Sequence, residues 1–335
     1  MKAPFPYFGG KSRVADLVWA RFGDTPNYIE LFFGSGAVML ARPHAAKTET
    51  VNDANAFLSN FWRALQADPD AVARYADFPV NECDLFARHQ WLVTTGAGIV
   101  EQIKADPEWF DAKIAGFWVW GACAWIGSGW CAGQSSWGAD SASVSNQIPH
   151  LRSVGMGVHQ KSVATAGLYD YLHELSERLR RVRVCCGDWS RIMGPSVTVR
   201  HGMTAVFLDP PYSESERAEV YATETPGVAV DVRDWCLANG NDPLLRTALC
   251  GYAGEGHDLL EAAGWECVAW KASGGYGNIG KGRGADNAKR ERIWFSPNCL
   301  KPGLFGDSDD FAETMTGPQS TFATARNEAA EAVTA

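Results

Sequence analysis

The chain of 335 residues has no apolar run of about eighteen residues, so it offers no membrane-spanning helix. Its nine cysteines contain no C-x-x-C pair and its seven histidines are dispersed. That scatter gives no metal-ligand spacing, and the odd cysteine count fits reduced thiols in a cytoplasmic setting. The opening MKAPFPYFGGKSR lacks the continuous apolar core of a secretory signal. Positive charge is also short, with 30 Lys and Arg against 39 Asp and Glu, a net charge of −9. This excludes binding to polyanions through overall charge and leaves only local patches for it. The deficit is uneven. From Pro302 onward six acids (Asp307, Asp309, Asp310, Glu313, Glu328, Glu331) face Arg326 alone, whereas Arg178 to Arg200 and Lys271 to Arg292 are locally basic.

What is present is globular. A hydrophobic share of 46% with 21% charged residues suits a packed core, and the length admits two domains or one with a large insertion. The strongest signal is Val206-Phe207-Leu208-Asp209-Pro210-Pro211-Tyr212. The apolar residues predict a buried strand, and the prolines must end it, because each fixes φ and neither offers an N–H. Asp209 and Tyr212 are thereby held on a stiff turn at a strand's carboxyl end, where open α/β sheets place ligands.

In chain order, PFPYFGGK leads to a helix with Ser12 as its cap and Val14, Leu17, Val18 and Phe22 on its apolar face. Tyr28 to Phe33 predicts a strand interrupted only by Glu30. The turn Gly34-Ser35-Gly36 follows, then a helix from Ala37. Strand, glycine turn and helix form a site where backbone N–H groups can meet the polar end of a cofactor. A second unit repeats it, with strand Thr48 to Val51, Asn52-Asp53-Ala54-Asn55 and helix Ala56 to Gln66. Asp53 lies at the spacing where an acid reaches ribose hydroxyls; Asp53 or Asn55 could simply cap the helix, but the preceding glycine turn favours the ribose role. From about Asp77 to Gln160 the alternation stops. Two helical stretches precede a segment rich in glycine, serine and tryptophan, with Trp118, Trp120, Trp125, Trp130 and Trp137 close together. This predicts an inserted recognition region over 77–160, in which Trp118 and Trp125 pack in a core.

Residues 166–181 predict an amphipathic helix with Leu168, Tyr171 or Leu172, Leu175 and Leu179 on one side. The arginines at its end, Arg178 among them, suit the helix dipole or phosphate. Strand Val182 to Cys185 ends in Gly187-Asp188-Trp189, an acid and an aromatic suited to a purine's edge and face. Beyond the proline turn, further alternation predicts a doubly wound, mainly parallel sheet. The sequence GYGNIG at 275–280 lacks a following apolar helix. It reads as part of a basic loop in which Lys281, Arg283, Lys289 and Arg290 could touch phosphates. The acidic tail, 301–335, predicts disorder.

The ordered set PYFGGK, ELFFGSG, ND, GDW and LDPPY resembles the Dam-type (D12 class) DNA adenine-N6 methyltransferases, particularly phage and prophage versions, over roughly residues 4–66 and 183–296. The resemblance implies a Rossmann-like catalytic domain discontinuous over 1–76 and 161–300, with S-adenosyl-L-methionine as methyl donor and no metal. It places Tyr7, Gly9, Gly10 and Lys11 around the donor's methionine end, together with Glu30, Phe33, Gly34, Ser35 and Gly36. Asp53 would take the ribose, Asp188 and Trp189 the adenine, and Asp209, Pro210, Pro211 and Tyr212 the catalytic turn. The implied partner is double-stranded DNA whose target base flips out. The enzyme would be a cytoplasmic monomer in a bacterial or phage-infected cell, with a cognate restriction endonuclease as a candidate companion. Leu31 stands where many relatives have proline, and 77–160 does not match the recognition region of GATC-methylating enzymes. Cytosine-N4 methylation and an inactive DNA-binding regulator remain as alternatives.

Overall fold

Seven strands of the computed structural model form one sheet in the order β3-β2-β1-β4-β5-β7-β6. The structure describes residues 1–7, 10–45, 47–95, 98–106, 108–125, 130–131, 157–159, 167–211, 227–270 and 289–301. The strands are β1 Asn27–Glu30, β2 Thr48–Asp53, β3 Val182–Cys186, β4 Thr204–Leu208, β5 Leu245–Tyr252, β6 Glu266–Ala269 and β7 Glu291–Phe295. From β3 to β5 every pairing is parallel, while β7 runs antiparallel to both β5 and β6. The fold is therefore mixed α/β with a mostly parallel sheet, as the alternation predicts. All four residues of β1 and all five of β4 are buried, which explains the apolar run Ala205 to Leu208, while β1 buries the polar Asn27 and Glu30 at its ends.

Side chains alternate across the sheet, so each strand feeds two cores. Tyr28, Ala205, Phe207, Ala248, Cys250, Ile293 and Phe295 join one core, with Phe5, Val14, Val18, Trp19 and Phe61. Ile29, Leu31, Val206, Leu208, Leu249 and Trp294 join the other. Burying each large apolar side chain is worth ~1.5–3 kcal/mol, so both faces contribute heavily.

Helix α1, Ala15–Phe22, lies on the first face through Val18, Trp19 and Phe22. Ser12 does not cap it; Val14 occupies the cap position with no side-chain bond, after a turn closed by Val14 N–H donating to the Lys11 carbonyl. Helix α2 is one turn, Ala37–Leu40, and α3 runs Ala56–Ala67 with the Asn55 carboxamide accepting from the N–H groups of Phe57 and Leu58. Sequence left Asp53 and Asn55 as rival caps; the structure gives that task to Asn55.

Pro69–Ala76 forms α4, started by proline in the first turn and capped by Asp68. Within the segment 77–160 the described helices are α5 Glu82–Thr95, α6 Ile99–Ala105 and α7 Ala112–Ala124. Helix α7 packs on α3 and α4, and Trp118 meets Phe5 at 4.9 Å between ring centroids. This part of the segment thus shares the main core, and residues Met1–Leu300 form one compact unit.

The helix Gly167–Leu179, α8, buries Leu168, Leu172, Leu175 and Leu179 as predicted. Arg178 stands in the last turn of α8, where the dipole favours a cation, and its charge is also paired. Its guanidinium donates to both oxygens of buried Glu49, at 2.6 and 2.8 Å, and Arg42 donates to the same carboxylate at 3.1 Å. The reason is local: Glu49 sits on the buried part of β2, and an unpaired carboxylate there is strongly unfavourable. The acidic tail and residues 271–288, with Lys281 and Arg283, lie outside the described residues.

Candidate active site

Parity along the strands places four polar side chains in one row at one end of the sheet. Glu30 ends β1 on the same face as Tyr28; Asp209 follows β4 on the face of Phe207; Cys250 and Glu291 lie on that face of β5 and β7. Because β7 is antiparallel, its first residue reaches the end where the parallel strands finish. Apolar surroundings make this row costly to charge unless a cation enters it.

Lys11 is that cation. Its Nζ lies 2.9 Å from Asp209 Oδ2 and 4.0 Å from Glu291 Oε2, and 5.6 Å from the centre of the Trp270 ring. Lys11 is only 4% exposed. Burial pushes its pKa down, but Asp209, with Cys250 and Glu291, more than reverses this, and the ammonium is held above its ordinary value. The magnitudes agree. Two unit charges at that separation attract by ~6 kcal/mol at an effective dielectric of about 20, against ~1.4 kcal/mol per pKa unit of desolvation shift. Lys11 therefore contacts the turn after β4, which the methionine-end assignment did not foresee.

The neighbouring carboxylates behave differently. Glu30 Oε2 accepts from the Tyr28 hydroxyl at 2.8 Å and from Met39 N–H at 3.2 Å. Burial nevertheless pushes its pKa up to about 8, so it holds its proton at neutral pH. Asp53, at the end of β2, accepts from Gly34 N–H at 3.0 Å and Asn55 N–H at 2.9 Å, one on each oxygen. Burial raises it to about 6, against the effect of those two bonds.

The glycine turn joins these parts. Gly34 has φ +48°, and a Cβ there would lie 2.6 Å from the Tyr7 ring, so the ring rests on the glycine. Gly36 has φ +68° and its Cβ would strike the Phe33 ring at 2.7 Å. Only glycine satisfies both demands, conformation and close approach. Ser35 is buried in the turn, and Phe33 packs on Trp62 with centroids 5.0 Å apart. The Tyr7–Gly10 turn is closed by Gly10 N–H donating to the Tyr7 carbonyl at 3.1 Å.

The structure thus brings Tyr7, Lys11, Glu30, Phe33, Gly34, Ser35, Gly36, Asp53 and Asp209 to adjacent strand ends, since β2, β1 and β4 are neighbours. Pro210 and Pro211 continue from Asp209; Gly9 and Tyr212 lie outside the described residues. Asp188 ends β3 as an exposed acid whose Oδ1 accepts from the N–H and hydroxyl of Ser190. Trp189 is 8% exposed and packs with Phe32 in the second core, so most of its ring is committed there. Lys289 is exposed, whereas Arg290 braces the turn after β5, donating to the Ala253 carbonyl and lying over Tyr252. Glu291 and Trp270 escaped the sequence reading. The available signal was an acid in register with Ile293 and Phe295 on a strand's apolar face.

An open, mostly parallel sheet with a glycine turn, a following acid and a polar turn at neighbouring strand ends is consistent with a Rossmann-like methyltransferase fold. The family model of D12 class N6 adenine-specific DNA methyltransferases matches residues 7–89, from Tyr7 through the glycine turn and Asp53 into α5. Over these residues the chain is similar to that family, and the match supports methylation of adenine N6 in DNA from a donor of the S-adenosylmethionine type. No curated protein matches the chain. Among the described residues there is no cluster of metal-binding side chains and no helix long and apolar enough to cross a membrane.

Proposed function

We propose that the chain binds S-adenosyl-L-methionine across the carboxyl ends of β1 and β2 and methylates N6 of an adenine flipped out of double-stranded DNA into the turn Asp209-Pro210-Pro211-Tyr212. The observation that carries this reading is the convergence of Asp209, the Gly34–Gly36 turn and Asp53 on three adjacent strands. The residues present fit the donor. Asp53 uses one lone pair of each oxygen on a backbone N–H and keeps others for ribose hydroxyls. The Tyr7 ring lies directly on Gly34, and the absence of a Cβ there lets the ring and the turn meet where the donor's methionine end would sit. Tyr7, Gly10, Phe33, Gly34, Ser35 and Gly36 would hold the methionine end, and Asp188 the adenine edge. Bound there, the donor would supply an electrophilic methyl group on a sulfonium; as the N6–C bond forms the C–S bond breaks, a neutral thioether leaves, and N6 gives up one proton to solvent.

The task left to the protein is to prepare the amino group. An exocyclic amine is a poor nucleophile because its lone pair is delocalised into the ring. The Asp209 carboxylate and the Pro210 carbonyl each accept one N6 hydrogen, which favours a more tetrahedral nitrogen with an available lone pair. Lys11 fixes the carboxylate from behind, and the prolines fix the carbonyl. Tyr212 stacks on the base, which must leave the helix because N6 is inaccessible within a duplex. In-line positioning supplies several kcal/mol of the barrier reduction. The segment 77–160, anchored by α7, is the proposed target-recognition region, and Lys289 is positioned to meet phosphate.

Incorporation of labelled methyl from S-adenosylmethionine into duplex DNA of mixed sequence supports this reading; no incorporation overturns it. Asp53 adds a pH test. Its folded pKa of about 6 lies above the ordinary carboxylate value, so the folded state binds more protons between the two and stability falls as pH rises through that window. Donor affinity moves the opposite way, because the ionised oxygen is the stronger acceptor. Calorimetry should find affinity rising from pH ~5 to ~7. In Asp53→Asn the rise should vanish and Kd increase about tenfold or more. An unchanged Kd removes Asp53 from the site.

A further inference from the structure

Lys11 faces two carboxylates, and only one of them touches the base in the scheme above. Glu291 is buried at the start of β7, with Oε2 4.0 Å from the ammonium. Trp270, also buried, closes the box with its ring 5.6 Å from Nζ. The two acids differ in access: the Asp209 side chain is 19% exposed and that of Glu291 is 7% exposed. Strand pairing fixes Glu291 firmly, since it sits opposite Tyr252 in the β5–β7 ladder. Asp209, by contrast, stands on the open side of the same cation.

We infer that Glu291 is a positioning residue for methyl transfer: it shares the charge of Lys11, so that Asp209 stays anchored without losing its strength as an acceptor for the target amino group. The inference rests on the proposed reading of Asp209. A lone ammonium closed on Asp209 would draw electron density from the oxygens that must accept from N6. A second carboxylate on the far side divides that pull and holds the ammonium in place. Trp270 excludes water from the same box, which strengthens both pairings. No bond is made or broken at Glu291, and it does not touch the donor or the base.

The test compares wild-type enzyme with Glu291→Gln and Glu291→Asp, using duplex DNA and labelled donor. The groups facing Lys11 are Asp209 at the end of β4, Cys250 on β5 and Glu291 on β7. Losing the charge of Glu291 removes one of the influences that keep Lys11 protonated. In E291Q kcat should fall about tenfold or more, with the KM for DNA and the donor Kd within about twofold. The alkaline limb of kcat should also move to lower pH than in the wild type. E291D should recover most of kcat, with an intermediate alkaline limb. E291Q with wild-type kcat and pH profile overturns the inference. So does a loss of activity with no shift of the limb and no recovery in E291D, the pattern of a packing residue. Should E291Q not fold, E291D decides alone, and an alkaline limb identical to wild type overturns the proposal. Asp209→Ala in the same assay separates the two levels. If that variant remains active, the reading of Asp209 fails; if it is inactive while E291Q matches wild type, only the role of Glu291 fails.

Discussion

Asp209→Ala lowers methyl transfer by about a thousandfold or more and leaves the donor Kd within about threefold. The asymmetry follows from position. Asp209 lies beyond β4, whereas the donor contacts proposed above come from the turn after β1 and from Asp53 after β2. Removing the carboxylate frees the amino group to stay planar and conjugated, so the loss appears in kcat. Asp209→Asn refines the prediction. Its carboxamide oxygen can still accept one hydrogen from N6, and its loss should be roughly ten- to a hundredfold smaller than that of alanine. Equal losses in both variants would point to charge or proton removal, and not orientation, as the work of this residue. Single-turnover rates and donor titrations measure the two quantities separately.

Lys11→Met has the second-largest effect, and it separates two assignments of the lysine. If Lys11 served the methionine end of the donor, its loss would raise the donor Kd. Its 2.9 Å contact with Asp209 predicts instead a fall in kcat of about a hundredfold with Kd nearly unchanged. Stability should drop as well, by about 3 kcal/mol, because removing one partner of a buried pair leaves the other uncompensated. Glu291 and Asp209 would then share one apolar face with the compensating ammonium gone. Denaturant unfolding at neutral pH measures that loss. Adding the donor should stabilise the variant and the wild type by the same amount and leave the difference between them, since Kd is nearly unchanged.

Much of this arrangement was written in local sequence. The strand ending at Leu208, the glycine turn after β1 and the acid ending β2 each follow from periodicity broken by residues with special backbone needs. Helix α8 was legible for the same reason, through four leucines at helical spacing. What escaped is what only pairing can reveal. The insertion of β7 between β5 and β6 depends on antiparallel partners whose short strands look alike in sequence. Lys11 and Asp209 meet because the residues before α1 cross the same sheet face that β4 presents at its end, a juxtaposition no local window contains. Glu291 looked like one more charge in KRERIWF until its register with Ile293 and Phe295 turned it inward.

Two further readings changed for physical reasons. Ser12 had the chemistry of a cap, yet the chain enters α1 through a backbone turn that leaves Val14 at that position. Trp189 had the shape of a surface for a purine ring, yet it packs with Phe32 in the second core and little of it is exposed. The basic loop at 271–288 and Tyr212 lie outside the described residues, so phosphate contact and stacking on the base rest on the sequence.

The central claim is that the row of Asp209, Lys11 and the proline turn prepares an adenine amino group for methylation. Nucleoside analysis of duplex DNA treated with enzyme and labelled donor tests it most directly. The account predicts label in N6-methyladenine with wild-type enzyme and none with Asp209→Ala. Label confined to N4-methylcytosine, or N6-methyladenine formed equally well by the alanine variant, would contradict it.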